Sequence, residues 1–135
     1  MTRSGRCACG AVTWATDAPD LWAGHCHCDS CRRASSAPVT SFFGVPRNSV
    51  EWSGDIAIRT SSPGVHRGFC AACGTQVYYQ YDGWPDETHL YAATLEDPTQ
   101  FTPQAHYHYA ERVPWLTVSD DLPKYSGSAD TTEPM

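Results

Sequence analysis

Apolar residues in this chain come in short runs between turn signals, and no stretch carries the three-to-four spacing of a long amphipathic helix. Where the runs alternate, the period is two. Val50-Glu51-Trp52 and Ile56-Ala57-Ile58-Arg59-Thr60 read this way, as strands with one buried face. Val39-Thr40-Ser41-Phe42-Phe43-Gly44-Val45 is a strand that Pro46 ends. Further strands are predicted over 11–16, 21–24, 65–69, 75–81 and 89–93, and residues 106–109 alternate again. Three hairpins follow from the spacing: 11–16 against the segment at Cys7 across Gly10, 50–52 against 56–60 across Ser53-Gly54-Asp55, and 65–69 against 75–81. Helix is confined to single turns, one over 31–37 and one over 97–101 with Pro98 at its first position. The predicted class is mainly β, in one domain over residues 1–125. Residues 126–135 are small, polar and acidic with nothing to bury, and are predicted to be disordered.

Cysteine changes the picture. There are seven in 135 residues, a length at which a structural metal adds materially to a modest core. Cys7-Ala8-Cys9-Gly10 and Cys70-Ala71-Ala72-Cys73-Gly74 are two pairs, each followed by glycine. In an extended strand residues i and i+2 face one side, so Cys7 and Cys9 can grip one ion, and Cys70 with Cys73 supplies a knuckle. Together they make one complete Cys₄ set. Cys26, Cys28 and Cys31 form the remainder, in Gly24-His25-Cys26-His27-Cys28-Asp29-Ser30-Cys31-Arg32-Arg33. Disulfides are the competing explanation, but an odd count leaves one thiol over. The chain also begins Met1-Thr2-Arg3-Ser4-Gly5-Arg6 with no apolar leader, from which we expect a reducing, cytoplasmic setting where such spacing reads as metal chemistry. A thioredoxin-like role for Cys28-Asp29-Ser30-Cys31 would need a surrounding βαβ pattern, which the sequence lacks.

Structural zinc sites close four protein ligands, whereas catalytic ones keep a position for water or substrate. Two zinc ions are therefore expected, one structural at the quartet and one labile or catalytic at the trio. Three thiolates make a zinc electron-rich and poor at acidifying water, so the chemistry expected at Cys26, Cys28 and Cys31 is capture of a further sulfur, a substrate thiol held as thiolate. Arg32 and Arg33, with Arg112 if the late segment folds over the loop, are the candidates to bind substrate carboxylates. His25, His27, His106 and His108 are candidate proton donors. Trp22 and Trp115 are expected in the core, and His66, His106 or His108 is the rival fourth ligand of the second ion.

The formal charge is −6, and thiolates around two divalent ions make it more negative still. With Lys124 the only lysine and no basic run beyond Arg32-Arg33, nucleic-acid binding is excluded as a working hypothesis. No apolar stretch approaches a membrane span. The expected partners are a small-molecule thiol and an aldehyde, and the sequence leaves the oligomeric state open.

The order Cys-x-Cys-Gly, Cys-His-Cys-x-x-Cys-Arg, Cys-x-x-Cys-Gly and a late Arg-x-Pro-Trp resembles the glutathione-dependent formaldehyde-activating enzyme (GFA, or centromere-protein-V) family, over about residues 5–125. All seven cysteines fall on that pattern, and Phe69, Gly74 and residues 95–98 look like family positions. The resemblance implies a β-rich, zinc-stapled Mss4-like fold, a structural zinc on Cys7, Cys9, Cys70 and Cys73, and a second, more labile zinc on Cys26, Cys28 and Cys31. It also implies carbon–sulfur lyase activity on S-(hydroxymethyl)glutathione, the adduct of formaldehyde and glutathione. Two other readings stand beside it: a non-enzymatic zinc module in which the three-Cys loop is structural, and processing of adducts of a different low-molecular-weight thiol.

Overall fold

The computed structural model describes residues 2–128 and Met135, so most of the acidic tail expected to be disordered lies outside the described residues. The chain is mainly β, with 41% strand against 15% helix. In order the strands are β1 (Arg3–Arg6), β2 (Thr13–Thr16), β3 (Trp22–Cys26), β4 (Thr40–Pro46), β5 (Val50–Ser53), β6 (Ile56–Ser62), β7 (Val65–Cys70), β8 (Gln76–Tyr81), β9 (Glu87–Tyr91) and β10 (His106–Tyr107). One short α-helix, α1 (Asp29–Ser35), follows β3. A 3-10 turn at Pro98–Gln100 has Pro98 at its start, as the sequence predicts, and the Asp97 side chain caps it. No helix among the described residues is long and apolar enough to cross a membrane.

The fold resolves into two compact units, Met1–Trp22 with Phe43–Phe101, and Ala23–Phe42 with Thr102–Met135. In the first, β1, β2 and β5 form an antiparallel sheet in the order β1-β2-β5. A second set runs β4-β9-β8-β7-β6, with β6 to β9 a continuous antiparallel meander. The predicted hairpin across Cys70 forms as β7–β8. The one across Ser53-Gly54-Asp55 does not: β5 pairs with β2 and β6 with β7.

The reason lies in contacts distant in sequence. Gly54 has φ +101, and a Cβ there would stand 2.1 Å from the Ala11 carbonyl oxygen, so the chain turns tightly against the β2 side instead of folding β6 back on β5. Each strand also finds a better partner. Trp52 lies opposite Trp14 across β2–β5 and packs its ring on Tyr78 at 5.3 Å, whereas β6 leaves Ile58 exposed at the sheet edge.

Trp14 anchors the first unit. Its ring is 1% exposed and 5.9 Å from that of Phe43, and its indole N–H donates to Thr94 Oγ1 at 3.0 Å. Thr94 in turn donates to the Tyr91 carbonyl at 2.8 Å. Thr94→Val keeps the volume but removes the acceptor, leaving a buried N–H unpaired. We expect it to cost about 1–3 kcal/mol and to lower the thermal midpoint by several degrees with zinc content unchanged.

In the second unit β10 runs parallel to β3, with His106 opposite His25 and Tyr107 opposite Cys26. Trp115 belongs to this unit and is 71% exposed, contrary to the expected core position. It follows Pro114 in an irregular segment that offers no sheet face to pack against. Trp22, half-buried, does pack, edge-on to His89 at 4.6 Å.

Candidate metal centres

The quartet is built by two matching knuckles in the first unit. After β1, Gly10 N–H returns to the Cys7 carbonyl; after β7, Gly74 N–H returns to the Cys70 carbonyl. Both glycines have φ +81, and nothing lies within 4 Å of a Cβ built on either, so the requirement is for the left-handed backbone rather than for space. Each knuckle aims backbone N–H groups at sulfur: Val12 N–H donates to Cys7 Sγ at 3.3 Å and Cys73 N–H to Cys70 Sγ at 3.4 Å. Such bonds stabilise thiolate over thiol. The Cys7 thiol is accordingly pushed down, first by its bond from Val12.

The sulfurs of Cys7, Cys9, Cys70 and Cys73 all lie within 4.8 Å of one another. Cys7 to Cys9 is 3.6 Å and Cys9 to Cys70 is 3.8 Å. A disulfide would need about 2.05 Å. Four sulfurs at about 2.3 Å from one tetrahedral ion stand about 3.8 Å apart, so the spacing fits zinc. Cys7 and Cys70 are buried, in one apolar cluster with Val12, Val77 and Tyr78, while Cys9 and Cys73 are exposed.

The trio lies in the second unit. Cys26 ends β3, and the sulfurs of Cys26, Cys28 and Cys31 lie within 4.8 Å of one another. Cys28 is also the N-cap of α1: its backbone is extended, and its sulfur accepts the Cys31 N–H at 3.2 Å. Among the described residues this donor group contains no histidine and no carboxylate. Of the three rivals for a fourth ligand, His66 pairs with Asp82 and His106 with Asp120, while His108, whose Nδ1 lies 3.4 Å from Glu111, is near enough for its charge to help lower the Cys28 thiol. The thiols share their protons unequally. Hydrogen bonds from Cys26 and then Cys31 hold Cys28 well below the usual thiol range, and the bonds of Cys26 with Cys28 and then Cys31 push Cys26 up. Cys28 is thus the member disposed to carry thiolate, and a soft divalent cation suits the three-sulfur donor set.

The arginines sit around this loop. Arg33 Nε donates to both carboxylate oxygens of Asp29 at 3.0 and 3.1 Å, one helical turn away. Arg32 is tied in three directions, to the His27 carbonyl at 3.3 Å, to Asp29 at 3.3 Å and to the Glu111 carbonyl at 3.2 Å. Arg112 lies with its guanidinium 4.3 Å from the centre of the Tyr109 ring and donates to the Tyr109 carbonyl. Tyr109 itself packs edge-on against His27 at 5.0 Å. The late segment therefore does fold over the loop, and Glu111 Oε1 accepts the Asp29 N–H at 3.0 Å, supporting the start of α1.

Three contributors were not singled out from sequence: Glu111, Tyr109 and Asp120. Asp120 accepts from His106, whose other ring nitrogen bonds His27 at 2.8 Å. Burial holds His27 down to about 4, followed by the charge of His106, so its ring is neutral at pH 7. Local pattern carries no signal for these pairings, since His27 and His106 are 79 residues apart.

A 77-residue stretch is 31% identical to an "uncharacterized lyase" of Schizosaccharomyces pombe, covering 57% of this chain and 56% of that protein. The chain thus aligns with little more than half the length of that relative. A crystal structure of a Rhodobacter sphaeroides protein superposes with a TM-score of 0.60 at 23% identity, over 71% of this chain and 92% of the other, which speaks for the fold alone. The sequence profile of the glutathione-dependent formaldehyde-activating enzymes matches residues 2–111, and on that match the chain belongs to this family.

Proposed function

We propose that the protein is a carbon–sulfur lyase-type enzyme that makes and breaks adducts of glutathione, or a similar thiol, with formaldehyde or a related aldehyde. The observation that carries this reading is the contrast between the two cysteine groups: four sulfurs that could close a tetrahedral ion, and a trio with no fourth His, Cys or carboxylate donor grouped with it among the described residues. A zinc ion held by Cys26, Cys28 and Cys31 would supply a Lewis-acidic position able to take a substrate sulfur as thiolate near neutral pH.

The chain's own residues supply the rest. Arg32, Arg33 and Arg112 offset the negative field of the protein for a thiol that carries carboxylates, and Arg33, whose side chain is 78% exposed, can turn from Asp29 to a ligand. Addition forms a bond from sulfur to the carbonyl carbon, and the carbonyl oxygen takes one proton to become a hydroxyl. His25, His27, His106 and His108 all belong to the unit that holds the trio and are the groups able to deliver it. In the reverse direction the hydroxyl proton returns to the same group and the carbon–sulfur bond breaks.

A structural role for the trio is the second reading. It draws on the bonds from Cys28, Arg32 and Glu111 that order the loop.

The test is zinc stoichiometry with and without glutathione, followed by nuclear magnetic resonance exchange spectroscopy of the formaldehyde–glutathione adduct. We expect two zinc ions per chain and exchange faster than in buffer. Because the adduct also forms spontaneously, an exchange rate equal to buffer with both ions bound overturns the enzymatic reading.

A further inference from the structure

A hydrogen-bonded chain runs away from the trio through His27 and His106, two of the candidate proton donors, to Asp120. His27 is 2% exposed and His106 is fully buried. His27 Nε2 meets His106 Nδ1 at 2.8 Å, and His106 Nε2 meets Asp120 Oδ2 at 2.9 Å. The rings of His25 and His27 each lie 5.0 Å from that of His106, and Tyr109 packs edge-on against both His27 and His106. The backbone is pinned as well. His25 N–H donates to the Ala105 carbonyl and His27 N–H to that of Tyr107, while His106 exchanges bonds with Pro123 and Tyr125 on its other side.

Proton positions follow from donor and acceptor chemistry. An ionised carboxylate only accepts, and its bond to His106 holds Asp120 below the usual carboxylate range. His106 therefore carries its proton on Nε2. With both rings neutral, His106 Nδ1 is a lone pair, so His27 donates to it from Nε2 and its own Nδ1 is unprotonated. One surface carboxylate thus sets the tautomer of two buried imidazoles in series.

The backbone converts this into a statement about sulfur. At the end of β3 successive side chains point to opposite faces. With His25 and His27 drawn to the His106 side, Cys26 and Cys28 turn to the other. We propose that Asp120, acting through His106, is a positioning residue for the three-thiol site: it locks His27 in one tautomer and orientation and thereby fixes the side on which Cys26 and Cys28 converge. This rests on reading the trio as the working metal centre, but not on the reaction assigned to it.

Two measurements test the proposal on the intact 135-residue chain with the quartet zinc in place. In the unmutated protein, histidine side-chain nitrogen spectra are expected to give both His106 and His27 as Nε2–H; an Nδ1–H form of His106 overturns the proposal with no variant needed. In Asp120→Ala, which removes a part-exposed side chain from an irregular segment, the His106 tautomer is expected to become mixed. Co(II) affinity at the trio, read from thiolate charge-transfer and d–d bands, is expected to fall about tenfold. An affinity within about twofold of the unmutated protein overturns it, and so does lost affinity with the tautomers unchanged, which would make Asp120 ordinary scaffolding. Neither readout depends on turnover, so a protein that binds Co(II) at the trio yet leaves adduct exchange at the buffer rate sinks the proposed reaction and leaves this inference standing.

Discussion

Cys73→Ser is expected to leave no folded protein. Cys73 is exposed, so its replacement removes no side chain from the core and makes no cavity. Whatever is lost comes from the metal. A structural zinc contributes an apparent binding free energy of about 10–16 kcal/mol in small peptides, against a net stability of about 5–15 kcal/mol for an ordinary domain. Serine is a poor zinc ligand, and the quartet cannot close without its fourth sulfur.

The damage reaches the core because the other half of the quartet is inside it. Cys7 and Cys70 are 0% and 1% exposed and sit in one apolar cluster with Val12, Val77 and Tyr78, against which Trp52 and Ile56 pack. An emptied site leaves thiols there whose neighbours had been arranged around an ion. Far-ultraviolet circular dichroism and zinc content check the expectation together. A Cys73→Ser chain that keeps its β spectrum with no zinc at the quartet would falsify the structural assignment.

How much of this was legible in sequence depends on how local the determining contacts are. The two cysteine pairs of the quartet could be named from spacing because each is set by one turn: Cys7 with Cys9 and Cys70 with Cys73 need only their own backbone and the glycine that follows. The β7–β8 hairpin was legible for the same reason. What failed was choice of partner. Residues 50–52 and 56–60 have the alternation of a hairpin, yet β5 is claimed by β2 through the Trp14–Trp52 pairing, a contact no local window contains.

The histidine chain is the extreme case. The alternation at 106–109 predicted a strand, but nothing near it indicated a parallel partner in β3, and Asp120 stands in a segment with no periodicity. Trp115 misled in the other direction, because size and apolarity say what a side chain would gain from burial but not whether the fold supplies a place for it.

Cys28→Ser separates the two readings of the trio, and the local structure makes it an unusually clean substitution. Cys28 has two roles, metal donor and N-cap of α1, and serine is among the best N-cap residues. Its hydroxyl can accept the Cys31 N–H in place of sulfur, so α1 keeps its cap while the trio loses a ligand. Asp29 N–H still has Glu111 as its acceptor. We therefore expect a folded chain with the quartet zinc retained, a thermal midpoint within a few degrees of the unmutated protein, the second zinc lost, and adduct exchange reduced to the rate in buffer. If the second ion served only to order the loop, the midpoint would instead drop markedly, since Arg32, Arg33 and Glu111 would be left to hold a loop whose centre is gone, and there would be no exchange activity to lose. A Cys28→Ser protein that releases the second ion but still speeds exchange excludes both, because the chemistry would then lie somewhere other than at the three sulfurs.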